Sequence, residues 1–335
     1  MPKIAIIGDV HLSDVQVTTR LDNYNEAILA KLEFIKQTCN DRGMDAVFFL
    51  GDLFHRKAAQ QTTHQTISRL IDIFNGFKCD VYTIIGNHDY NHSIEALDKQ
   101  PIYVLNTSGA IQIIGDNMPK AKCVVATGKA RSLEVYGLSN LDENDEKLDN
   151  YNRIDNSINR NNFNILLTHQ WIFEDGFQFF GHYLNYENLK DLHFDIIANG
   201  HYHPAGEEKQ VYGKLFLRPG AICRVSSSKE DLALKPRFVI LDIDVDSPDK
   251  KYSFEYVQIP FEPTDKVFDM NAVKHAKISK EEISKFTKSL QAAEIEEVDT
   301  NSVESVVNLL ATIQSDQEVL DTCKKYLDEA KEALQ

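Results

Sequence analysis

The sequence predicts an α/β protein, a four-layer αββα sandwich with a helical appendage at its C-terminus. Three observations carry that prediction. In the first ninety residues, short apolar runs alternate with helical repeats, the order of a parallel sheet with right-handed crossovers. Each of those apolar runs ends in glycine and is followed at once by acidic, amide or imidazole side chains. From residue 279 onward proline and glycine vanish, and helix-start signals appear instead.

The first strand is Ile4-Ala5-Ile6-Ile7-Gly8, running into Asp9-Val10-His11. Residues 21–39 carry Ala27, Ile28, Leu32 and Ile35 at helical spacing, and Arg42-Gly43 stops that helix. Residues 45–50 form the second strand, continuous and apolar as buried parallel strands are, and lead into Gly51-Asp52-Leu53-Phe54-His55. Residues 58–74 read as a helix with Ile67, Leu70, Ile71 and Phe74 on one face, closed by Asn75-Gly76. Residues 80–85 are the third strand, followed by Gly86-Asn87-His88-Asp89.

Short alternating strands are expected next, at 102–105, 110–114, 123–126 and 133–138, divided by turn residues. The polar stretch 140–160 reads as a loop with a surface helix. Strand 163–167 ends in Thr168-His169-Gln170, and strand 195–199 in Gly200-His201-Tyr202-His203. Strands at 215–217, 237–243 and 252–259 complete the sheets. A polar linker, 264–279, precedes helices expected at about 280–293, 302–313 and 316–334, two of them opening on the capping boxes Ser279-x-x-Glu282 and Ser315-x-x-Glu318. The domain reading is 1–245 for the catalytic unit, 246–278 for a final strand and linker, and 279–335 for the helical region.

Composition excludes several classes. At 42% hydrophobic over 335 residues the chain can bury a large core, and no apolar run reaches membrane-spanning length. The first strand begins at Lys3, which leaves no room for a signal peptide. Five scattered cysteines without a CxxC pair argue against a disulfide framework, and the expected compartment is the cytoplasm. A formal net charge of −15 speaks against a protein that coats nucleic acid non-specifically. The last 57 residues hold six Lys/Arg against thirteen Asp/Glu, so nearly half of that excess sits in the appendage.

The chemistry lies in the strand-end loops, Asp9-x-His11, Asp52-x-x-His55, Asn87-His88-Asp89, His169 and His201-x-His203. Strand carboxyl ends are where open α/β sheets place their sites. On an extended loop, residues i and i+2 point the same way and can grip one ion. Mixed carboxylate, amide and imidazole donors suit manganese or iron, whereas all-thiolate zinc and all-oxygen calcium sites are not on offer. One carboxylate can bridge two ions, and Asp52 is the best placed. His64, His92, His182, His193 and His275 match no motif and read as surface or structural. Trp171 reads as packing rather than as a base-stacking platform, and a substrate-facing role is the alternative for Tyr90 and His92, just after the third motif.

This ordered set resembles the calcineurin-like metallophosphoesterases over roughly residues 1–245. Within them, Leu50 to His55, His88-Asp89 and Arg218-Pro219-Gly220-Ala221 are most similar to the double-strand-break repair nucleases of the SbcD and meiotic recombination eleven type. Ala221 stands where that pattern has serine. The resemblance implies two divalent metal ions, Mn2+ with Fe2+ or Mg2+ as alternatives. One would be held by Asp9, His11, Asp52 and His203, the other by Asp52, Asn87, His169 and His201. It further implies His88 as proton donor to the leaving oxygen, with Asp89 orienting or charge-stabilising it and His55 supporting phosphate or metal geometry. The implied substrate is DNA, bound weakly by this acidic chain alone. The implied partner is an SbcC-type ABC ATPase docked through the C-terminal helices, and a homodimer is implied through the helix at 58–74. Two other readings stay open: a phosphoesterase acting on cyclic nucleotides or phosphomonoesters, and a non-catalytic scaffold regulating an ATPase.

Overall fold

Strand β1 (Lys3–Ile7) sends Ile4 and Ile6 into one apolar layer and Ala5 and Ile7 into another, and all four are fully buried. The two-residue period of a strand requires such a split when both faces of the sheet are covered. Strand β2 (Ala46–Phe49) repeats it, with Ala46 and Phe48 in the first layer and Val47 and Phe49 in the second. The computed structural model describes residues 1–275 except 17, 56–61, 91–93, 116–117, 119, 140–147 and 178–182. The expected helices at 280–293, 302–313 and 316–334 therefore lie outside the described residues. The chain divides into compact units after Phe268.

The remaining strands are β3 (Asp80–Thr83), β4 (Gln112–Ile113), β5 (Lys122–Thr127), β6 (Ser132–Leu138), β7 (Phe163–Thr168), β8 (Ile172–Phe173), β9 (Leu184–Asn185), β10 (Ile196–Asn199), β11 (Lys209–Val211), β12 (Lys214–Leu217), β13 (Arg237–Ile243) and β14 (Tyr252–Gln258). One six-stranded sheet has the order β14-β13-β1-β2-β3-β4, and a second has β11-β12-β10-β7-β6-β5. Strands β1, β2, β3 and β4 pair in parallel, as do β6, β7, β10 and β12. Strands β8 and β9 form a separate short ribbon.

The two sheets face each other through Ile4, Phe48, Leu50, Ile84, Ile165, Leu167, Ile196 and Leu215. Helices α1 (Tyr24–Arg42), α2 (His64–Asn75) and α3 (Pro101–Thr107) cover the outer face of the first sheet with Ile28, Leu32, Leu70, Phe74, Ile102 and Leu105. Helix α4 (Leu148–Asp155) and the segment through Phe194 cover the second with Tyr151, Ile154 and Leu189. The fold is the expected four-layer αββα sandwich.

Local chemistry sets the helix ends. The Asn23 side chain accepts the Glu26 N–H at 3.1 Å to start α1, and Gly43, at φ 65°, closes it. The Thr63 side chain caps α2, whose described part begins at His64 rather than at residue 58; residues 58–61 are outside the description. One expected strand is a helix. Residues 102–105 lie within α3, with Pro101 in its first turn, Ile102 and Leu105 buried three apart, and Tyr103 and Val104 exposed between them. Four apolar residues in a row hide that spacing.

Helix α5 (Lys229–Ala233) precedes β13, and a further short helix, α6 (Thr264–Val267), opens the segment read as a polar linker. That segment is packed as far as Phe268. Val267 and Phe268 are buried, Phe268 bridges to Arg20 in antiparallel fashion, and the Arg20 guanidinium lies 5.0 Å from the Phe268 ring centroid. Phe268→Ala should cost about 3–5 kcal/mol of stability, read as a shifted urea midpoint at unchanged m-value.

Candidate metal centre

All nine candidate side chains converge on one rim. Asp9 and His11 follow β1, Asp52 and His55 follow β2, and Asn87 and His88 follow β3. From the facing sheet come His169 after β7, and His201 and His203 after β10. Strand pairing continues past the strand ends and locks the loops together. His11 donates its N–H to the Asp52 carbonyl at 2.8 Å, and His55 donates to the Leu12 carbonyl at 2.9 Å. Ile222 donates to the Asp9 carbonyl at 2.9 Å.

Three of the nine, His11 (φ 52°), Asp52 (φ 49°) and His201 (φ 76°), adopt left-handed backbone. Residues with a Cβ avoid that region, and its cost is held in place here by the surrounding hydrogen bonds. The flanking glycines answer a different need. A Cβ on Gly86 would collide with the Asp52 carboxylate, and one on Gly200 would lie 2.7 Å from Asp9 Oδ1. The loops approach too closely there for any side chain.

Among the described residues three sets of donors form, each with ligand atoms within 4.8 Å of one another: Asp9, His11 and His203; Asp52, His169 and His201; and a third, His11, His55 and His88. Asn87 joins the second, its Oδ1 lying 3.1 Å from His169 Nε2. Asp52 Oδ2 faces the first two, 3.5 Å from His11 Nε2 and 3.2 Å from His169 Nε2. The other Asp52 oxygen accepts the His88 N–H at 2.8 Å.

The donor chemistry fits divalent cations. His11 Nε2 is fully buried and has no hydrogen-bond partner, a costly state for an imidazole nitrogen unless it serves as a ligand. His169 Nδ1 is engaged by the Leu50 carbonyl at 2.6 Å, which fixes the ring and turns Nε2 toward Asp52 and Asn87. His203 Nδ1 lies 3.7 Å from Asp231 Oδ1. Asp231 is itself held by the Ser226 N–H and hydroxyl at 2.7 and 2.6 Å. Asp231 lies on α5, in no motif visible in the sequence, and only its pairing with His203 identifies it.

Electrostatics separate the carboxylates. Burial works to raise Asp52, but His169, by charge and hydrogen bond, and then His11 and His88 hold it well below the usual carboxylate range. Burial raises Asp9. Burial pushes His201 down to about 3 and His11 well below the ordinary imidazole value, so both are neutral donors at pH 7. For His169 burial lowers the pKa, yet the Asp52 charge outweighs it and the value rises to about 9.

His88 and His55 make up the third set with His11 and stand beside the two that flank Asp52. Their rings stack at 5.5 Å and 12°, His88 Nδ1 bonds the His55 carbonyl, and His55 Nδ1 lies 3.4 Å from His11 Nδ1. Asp89 has another role than the expected one. Its oxygens accept the Phe54 and Gly86 N–H groups, both at 3.0 Å, so it clamps the second and third loops, and burial raises it to about 8. Trp171 stacks on His201 at 4.8 Å and 24°, packing against a candidate ligand. His193 is structural, paired with Asp155 at 2.8 Å.

The sequence model of the calcineurin-like phosphoesterase family matches residues 2–205. The chain belongs to that family. A calcineurin-like phosphoesterase is a metal-dependent hydrolase, and the donor sets beside Asp52 are candidate metal-binding groups of this one. Among solved structures, this phosphoesterase is similar to a dimetal phosphatase from Danio rerio, at 12% identity over 78% of this chain and 99% of that one, with a TM-score of 0.49. It is also similar to the protein TT1561 of Thermus thermophilus, at 11% identity over 77% and 99%, with a TM-score of 0.48. No curated protein matches the sequence. No helix among the described residues is long and apolar enough to cross a membrane.

Proposed function

We propose that this phosphoesterase is a DNA nuclease that hydrolyses phosphodiester bonds with two divalent cations, manganese being the first candidate. Asp9, His11, Asp52 and His203 hold one ion, and Asp52, Asn87, His169 and His201 the other. When bound, such a pair supplies Lewis-acid charge and lowers the pKa of a water nucleophile toward neutrality. The observation that carries the reading is the His88–His55 pair at the edge of two donor sets that share one oxygen of Asp52.

His88 is the proton donor. Its Nδ1 is spent on the His55 carbonyl, so Nε2 is the nitrogen left to protonate a departing oxygen, and it does so from the imidazolium form. A deoxyribose 3′-oxygen is a poor leaving group and needs that proton. Asp9, His11, Asp52 and His169 are buried, whereas Asn87, His88, His55, His201 and His203 are half-buried. The centre is thus reached from a rim, which suits a phosphate within a longer strand. His55 stacks on His88 and fixes its plane. An SbcC-type ABC ATPase would supply the DNA affinity that a chain of net charge −15 lacks, docking on the C-terminal helices. A homodimer through α2 is part of the same reading.

The test is incubation with Mn2+ and end-labelled linear duplex or single-stranded DNA, with and without an SbcC-type ATPase. Parallel arms contain bis-p-nitrophenyl phosphate and a phosphomonoester. Cleavage of DNA by the parent protein supports the reading. Turnover of the small esters with intact DNA in every arm overturns it in favour of a small-substrate phosphoesterase.

A further inference from the structure

Away from the metal centre, three basic side chains meet at a cavity of about 280 Å³ between α1 and the chain after β14. Arg20 and Arg224 are only 8% and 6% exposed, and Lys31 reaches in from α1. Arg20 forks onto Asp22 with two bonds of 2.8 Å and is neutralised there. Lys31 and Arg224 have no carboxylate in hydrogen-bond contact, although Asp22, which also lines the cavity, acts on both by charge and Asp231 on Arg224. Lys31 Nζ donates to the Ile222 carbonyl at 2.8 Å, and Arg224 donates to the carbonyls of Leu234 at 3.3 Å and Glu262 at 2.9 Å. Carbonyls satisfy donors without supplying countercharge. The Glu262 residue also lines the cavity, at its exposed rim.

Cations withdrawn from water in this way are costly unless an anion joins them. Burial lowers both Lys31 and Arg224, the neighbouring Arg20 guanidinium lowers each further, and the Asp22 charge offsets this only in part. Apart from Asp22 and Glu262, the rest of the wall is apolar. Phe34 packs on the core from the helix side, and Phe261, 37% exposed, lies 5.0 Å from the Arg224 guanidinium. Few convergent polar groups in an otherwise apolar concavity are the marks of a small-molecule site.

We propose that this cavity binds a small organic anion, with a phosphate, phosphonate or carboxylate head on Lys31 and Arg224 and an apolar body against Phe34 and Phe261. The size limits the ligand to roughly a single ring and its acidic group. The site is separate from the metal centre and does not depend on the nuclease reading.

Isothermal titration of the full-length protein with phenylphosphonate, benzoate and inorganic phosphate, in EDTA to keep the metal centre silent, tests the assignment. Phenylphosphonate or benzoate should bind at one site per chain and more tightly than inorganic phosphate. Lys31→Met should weaken that binding at least about tenfold, equal to about 1.4 kcal/mol. Ala30→Trp keeps every charge and closes the mouth, and should abolish it, with circular dichroism checking that both variants fold. Asp52→Asn should leave it unchanged. Absence of binding, equal affinity for inorganic phosphate, or binding that follows Asp52 instead of Lys31 overturns the proposal.

Discussion

Asp52→Asn should reduce phosphodiester hydrolysis by about 10³-fold or more, the loss expected when the charge organising a metal-assisted transition state is removed. The effect is large because one oxygen faces both flanking donor sets and the other receives the His88 N–H. An amide keeps the volume and loses the charge. Folding should survive, since asparagine tolerates the left-handed backbone at this position better than other side chains do. Steady-state rates on bis-p-nitrophenyl phosphate with Mn2+, beside a thermal melt, check both halves. A folded variant with near-normal rate would remove Asp52 from the centre of the mechanism.

His88→Gln should behave differently. Loss of a general acid costs about 10²–10⁴-fold where the leaving group needs a proton and little where it does not. DNA cleavage should therefore fall by that factor, while p-nitrophenyl esters, whose phenolate leaves unaided, lose only severalfold. Metal affinity should be largely retained, because the two sets beside Asp52 do not include His88, which groups with His11 and His55 instead, and its backbone N–H to Asp52 remains. Equal losses on both substrates would make His88 a structural or binding residue instead.

Much of this site is legible in the sequence, and for a physical reason. Strand-end glycines such as Gly86 and Gly200 mark where backbones must approach within the reach of a Cβ, and the residues beside them are the ones delivered to the rim. What the sequence hides is instructive. His11, Asp52 and His201 take left-handed backbone without being glycine, because tertiary hydrogen bonds impose it. Asp231 stands 28 positions beyond His203 on a five-residue helix, and no local pattern links the two. Asp89 looks like a partner for His88 by adjacency, yet its carboxylate turns back to clamp Phe54 and Gly86. Helix α3 reads as a strand because Ile102, Tyr103, Val104 and Leu105 are all apolar, so neither period stands out until burial separates them. The two-residue strands β8 and β9 are too short to show any period at all.

Anomalous diffraction from crystals soaked in manganese tests the central claim most directly. Two peaks should flank the Asp52 carboxylate, one among Asp9, His11 and His203 and the other among Asn87, His169 and His201. A map with no peak at Asp52, or with manganese bound only elsewhere on the surface, would contradict it.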